Sequence, residues 1–143
     1  FKLPAKVDYT AIPWVTYTDP ELAHAGLTTT EAFKLDKNAQ VIEVHFSEND
    51  RAQTERHTQG KIKVIVTKKG KILGCSILGP QAGELILPWI MLIKNRKTLR
   101  EMNDVTIPYP TLNEISKRVA SEFYKPALFS SAVKKLVRFL KYI

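Results

Sequence analysis

Alternation of apolar and polar positions picks out three strands in the middle of the chain. Over Val41 to Ser47 the residues Ile42, Val44 and Phe46 share one face, and over Lys61 to Thr67 the residues Ile62, Val64 and Val66 do the same. The third strand, Lys71 to Leu78, follows the link Lys68-Lys69-Gly70. A period of two on either side of a short glycine-containing link predicts an antiparallel hairpin for the last two. Trp14 to Thr18 is a further β-rich run, stopped by Asp19-Pro20, and predicts a strand followed by a turn.

Elsewhere the period lengthens to that of a helix. Thr28-Thr29-Thr30-Glu31 sets a hydroxyl three residues before a glutamate, the capping-box spacing, and opens a short helix reaching Lys37. After Gly79-Pro80, the residues Ala82, Leu85, Ile86, Trp89, Ile90 and Ile93 fall at helical spacing, and the cations between Lys94 and Lys97 suit a helix C-terminus. A second Thr-x-x-Glu, Thr111 to Glu114, starts a helix with Leu112, Ile115, Val119 and Phe123 on its buried side. The last helix starts near Ser130 with Val133, Leu136, Val137 and Leu140 as its stripe. Strands followed by helices, rather than alternating with them, predict an α+β fold.

The 82–93 helix is apolar nearly all round, which a single sheet-facing stripe does not satisfy. The pattern fits either a helix shared with a partner, with Leu85, Ile86, Trp89, Ile90 and Ile93 at the interface, or a central helix wrapped by its own domain.

A chain of 143 residues, 44% of them hydrophobic, buries a core without disulfides or a structural metal, and no repeat or linker divides it. Cys75 is the lone cysteine, which points to a reducing, cytoplasmic setting. The apolar run Leu85 to Ile93 is about half of a membrane span and contains Pro88. The opening Phe1-Lys2-Leu3-Pro4, with no methionine before Met91, is what a segment of a longer protein would show.

The net charge of +8 is uneven. Residues 123–143 hold Lys125, Lys134, Lys135, Arg138 and Lys141 and no acid, so the body is nearly balanced. Lys61, Lys63, Lys68, Lys69 and Lys71 form a second basic cluster, but without interleaved aromatics it reads as a solvated face rather than a nucleic-acid site. The tail has two readings. Its stripe docks on its own domain, or the 130–143 helix contacts an anionic membrane.

Self-contained chemistry is sparse. There is no G-x-G-x-x-G, and at the P-loop spacing of Gly74 and Gly79 stand Pro80 and Gln81 in place of Lys and Ser or Thr. His24, His45 and His57 have no helical metal spacing, and Cys75 sits in an apolar strand. No cofactor site and no metal site is expected within the chain itself.

Four segments in order carry a resemblance. They are Trp14 to Thr28, Asn49-Asp50-Arg51-Ala52, Ile72 to Ile86, and Pro108-Tyr109-Pro110-Thr111-Leu112-Asn113-Glu114. Together they resemble the C-terminal dimerisation domain of pyridine nucleotide-disulfide oxidoreductases, dihydrolipoamide dehydrogenase-like and mercuric reductase-like flavoproteins. The resemblance implies an antiparallel sheet with helices on one face over 14–123, a connection from upstream domains over 1–13, and a basic helical extension over 124–143. It implies a homodimer with Pro110 near the interface, FAD and NAD(P) bound by other domains of the parent, and a C-terminal motif reaching the partner subunit's active site. Tyr109 stands where the family carries its catalytic histidine, and Glu114 where the orienting glutamate stands, although Glu114 also serves as a capping residue. A phenol with an ordinary pKa near 10 does not shuttle protons as imidazole does, so the substrate stays open. The alternative from another class is a stand-alone basic module that binds nucleic acid or anionic lipid.

Overall fold

The computed structural model describes residues 8–141, less the side chains of Ala132 and Leu136. Five strands, β1 (Trp14–Thr16), β2 (Glu21–Gly26), β3 (Gln40–His45), β4 (Lys61–Val66) and β5 (Ile72–Gly79), form one antiparallel sheet in the order β1-β2-β5-β4-β3. The predicted β4–β5 hairpin is present. Gly70 closes it with φ 79° and an amide bond to the Thr67 carbonyl, a backbone setting that suits glycine. A register shift between Ile65 and Val66 lets Ile72 and Cys75 both face the main core.

Among the described residues the sheet is accompanied by a 3-10 turn over Phe46–Glu48 and seven α-helices: α1 (Thr29–Leu35), α2 (Asp50–Glu55), α3 (Ala82–Leu85), α4 (Leu87–Lys94), α5 (Leu99–Asp104), α6 (Glu114–Leu128) and α7 (Ser131–Leu140). The α+β reading holds. One sheet face carries Ala23, Ala25, Val44, Ile62, Val64, Cys75 and Ile77, all fully or nearly fully buried beneath Ile86, Trp89, Ile93, Leu99, Ile115 and Val119. Trp89 donates its indole N–H to the Ser116 hydroxyl at 3.1 Å, so both buried polar groups are satisfied. The reverse face is mostly open, but α1 covers part of it, with Ala32 in a small cluster with Leu27, Ala39, Ile65 and Leu73.

Glu21 to Gly26, which no periodicity predicts as an element, is a strand paired with β1 and β5. Two expectations change. The expected continuous 82–93 helix is two helices joined at Ile86, with Pro88 in the first turn of α4, where its missing N–H costs no helical bond. The boundary expected between 123 and 124 falls inside α6, which runs unbroken to Leu128. Of the expected upstream connection, Ala11 is already buried against the core, and residues 1–7 lie outside the described residues, as do 142 and 143 of the extension.

Candidate functional site

The loop before α6 is built by contacts with the segment that opens α2. Asn49 is buried and caps α2, accepting from the Ala52 amide at 2.9 Å. Its amide nitrogen donates to the carbonyl oxygens of Thr111 and Leu112 at 3.1 and 3.4 Å. One side chain thus satisfies a helix terminus and pins the loop. Arg118 of α6 closes the same junction, donating to the Glu48 carbonyl at 2.8 Å and pairing with its carboxylate at 3.0 Å. Glu48, Asn49, Asp50, Ile107, Glu114 and Arg118 share a shallow cleft beside the loop.

Tyr109 stands at the tip, 70% exposed, next to a cis Tyr109-Pro110 bond. Its hydroxyl donates to Asp50 Oδ2 at 3.0 Å. That bond, then the charge of Asp50 and finally that of Glu114, hold the phenol above its ordinary pKa. Tyr109 is therefore a neutral hydroxyl at physiological pH and a hydrogen-bond donor, not a base. Glu114 accepts from the Thr111 amide at 3.2 Å, the capping half of its expected duties. The Thr111 hydroxyl donates to the Pro108 carbonyl instead of capping α6, so the second capping box is half made. The structure thus brings Tyr109 and Glu114 into one loop, with Asp50 rather than Glu114 bonded to the phenol.

The residues expected at a dimer interface divide. Leu85, Ile86, Trp89 and Ile93 are buried in their own domain's core, because the sheet beneath takes that side of the helices. Ile90 is half-buried and Pro110 exposed. The outward side of α4 instead presents Leu87 and Met91, 57% and 59% exposed and one turn apart. Their apolar character was legible in the sequence; which side of the helix the sheet would claim was not.

Other candidates have structural roles. His24 is buried and bonds the Ser76 hydroxyl at 2.9 Å and the Gly26 carbonyl at 3.0 Å. Burial pushes the Cys75 thiol well above its ordinary pKa, which makes it inert. Among the described residues no group of three His, Cys, Asp or Glu side chains could hold a metal ion. Lys61 pairs with Glu43 across β3–β4 at 2.7 Å, as on a solvated sheet face. The tight turn from β5 into α3 does not fit a dinucleotide pyrophosphate. The Glu21 carboxylate already takes the Gly83 amide at 2.9 Å, and Gln81 occupies the left-handed position ahead of the helix.

Residues 12–120 match the family described as "Pyridine nucleotide-disulphide oxidoreductase, dimerisation domain". The chain belongs to this family. It is 32% identical over 126 residues to dihydrolipoyl dehydrogenase 3 of Haloarcula marismortui, covering 87% of this chain and 26% of that protein. It is 35% identical over 122 residues to the mercuric reductase of Shewanella putrefaciens, covering 85% and 22%. The chain thus spans about a quarter of the length of these relatives. The crystal structure of LpdA from Mycobacterium tuberculosis has the same fold, with a TM-score of 0.75 at 24% identity over 82% of this chain and 26% of that one. So does the HOCl-induced flavoprotein disulfide reductase RclA of Escherichia coli, with a TM-score of 0.74 at 24% identity over 78% and 26%. The match gives no support to a stand-alone basic binding module.

Proposed function

We propose that this chain is the dimerisation module of an FAD- and NAD(P)-dependent oxidoreductase, in which it pairs with a second copy and presents the Pro108–Glu114 loop at the partner subunit's active site. The carrying observation is the family match over 12–120 together with an exposed Tyr109 on a loop that Asn49 ties to the start of α2. FAD and NAD(P) belong to other parts of the parent; at the β5–α3 turn the Gly83 amide is already taken by the Glu21 carboxylate. Pairing uses the outward side of α4, where Leu87 and Met91 lie exposed.

At the active site Tyr109 supplies a protonated hydroxyl and Asp50 fixes its direction. With the phenol pKa raised, it holds its proton at Oη through the physiological range and does not collect one from a thiol. The substrate class is accordingly one whose turnover does not need imidazole at this position. In the parent enzyme Tyr109→His should raise thiol-disulfide reductase activity by about ten-fold or more, because general acid–base catalysis typically contributes 10²–10⁴-fold. An unchanged rate would place the loop away from the reacting atoms.

A further inference from the structure

Helix α7 carries an apolar surface that the domain leaves uncovered. Ser130 caps it, with its hydroxyl accepting from the Val133 amide. At the helical turn of 100° per residue, Lys134, Lys135, Arg138 and Lys141 fall on one side, and Val133, Val137, Leu140 and Phe139 on the other. Val137, Phe139 and Leu140 are 48%, 65% and 57% exposed. At the end of α6 the exposed Leu128 and Phe129 line a shallow groove with Val133 and Val137, and Lys134, Arg138 and Lys141 border it.

The charges identify what covers this surface. From Phe123 onward the sequence has no acid, and Lys125 is already paired with Glu122 at 2.7 Å. Among the described residues no ion pair engages Lys134, Lys135, Arg138 or Lys141. A second copy laid stripe to stripe would cover the apolar residues but leave both sets of cations facing outward, with no acid from residue 123 onward to meet them. Its own domain has already filled the helix-bearing face of the sheet with α3 to α6. An anionic bilayer surface supplies hydrocarbon for the stripe and phosphates beside it for the cations. The helix also lies beyond residue 120, where the family match ends, so the shared fold does not require it.

We propose that α7, with Leu128 and Phe129, lies in the headgroup layer of an anionic lipid bilayer and tethers the domain to its surface. The axis runs parallel to the membrane, with Val133, Val137, Phe139 and Leu140 turned inward and the cations level with the lipid phosphates. Each cation near such a surface strengthens partitioning about five-fold, and added salt screens that gain.

The test is sedimentation of the 143-residue chain with vesicles of phosphatidylcholine, alone or with about one quarter phosphatidylglycerol. Binding to the anionic vesicles at low salt, with little to the neutral ones and a steep loss on adding salt, is expected. The triple variant Lys134→Glu, Lys135→Glu, Arg138→Glu should lose that binding, and so should Phe139→Asp with Leu140→Asp. These positions lie outside the core, and emission from the buried Trp89 reports that each variant is folded. No binding to anionic vesicles, equal binding to both kinds, or binding that survives both variants would overturn the proposal. So would lipid-free self-association abolished by the Phe139 and Leu140 changes, because the stripe would then belong to a second copy. None of these outcomes bears on pairing through α4, which Leu87 and Met91 test separately.

Discussion

Helices α4 and α7 are both short and both carry an apolar stripe, yet the fold treats them in opposite ways. In α4, Trp89 and Ile93 are buried against the sheet, and the outer side keeps Leu87 and Met91. In α7, Val137, Phe139 and Leu140 stay in solvent. The difference lies in what each helix follows. The tight turn out of β5, with Glu21 bonded to the Gly83 amide, lays α3 and α4 back across β2 and β5. Helix α7 hangs from the far end of α6, past Pro126, where the face of the sheet has already been covered. A stripe of the right period tells that a helix will form, but chain connectivity decides whether the sheet is within reach.

The contrast is most sharply broken or sustained by paired substitutions. Trp89→Ala should destabilise the domain by ~3–5 kcal/mol, from the cavity and the loss of its bond to Ser116, whereas Phe139→Asp should change stability by less than about 0.5 kcal/mol. Urea unfolding of both variants measures this, and a large loss for Phe139→Asp would show that α7 docks after all. Asn49→Ala should cost about 1–2 kcal/mol, since it removes a cap and two bonds to the Tyr109 loop. Faster amide exchange confined to α2 and residues 108–114 would locate the effect, and unaltered exchange in the loop would mean that Asn49 does not hold it.

A smaller effect is readable in pH. The phenol of Tyr109 has a raised pKa in the folded chain, so its contribution to stability is fully present below the ordinary tyrosine pKa near 10 and is lost as pH rises through the higher folded value. Because the ring is exposed, the readout is its own titration by ultraviolet difference absorbance. Asp50→Asn should lower the midpoint of that titration, and an unmoved midpoint would remove Asp50 as its cause. The carboxylates of Glu31 and Glu101 run the other way. Thr28 and Thr98 hold their pKa values low, so their contributions are present above the ordinary glutamate range and fade as pH falls through the lowered values.

Much of this architecture was written locally. The Thr28–Glu31 capping box forms as its spacing predicts, and the β4–β5 hairpin pairs as its alternation requires. Strand β2 was not legible, because Glu21-Leu22-Ala23-His24-Ala25-Gly26 lacks β-branched residues. Its small alanines lie beneath α3 and α4, so tertiary packing overrides their weak propensity. Helix α5 was missed although it opens with the same Thr-x-x-Glu signal, Thr98 to Glu101, fully formed as a capping box. At the site, Tyr109 and Glu114 stood out through the family motif, whereas the Asn49 and Asp50 contacts span about sixty residues of sequence and no local pattern announces them.

Sedimentation equilibrium of the chain and of the double variant Leu87→Glu, Met91→Glu tests the account most directly. The wild-type chain should associate to a dimer, and the variant should be a monomer with its urea midpoint nearly unchanged, because both side chains lie outside the core. A wild-type monomer at every accessible concentration, or a dimer indifferent to both substitutions, would contradict pairing through the outer face of α4.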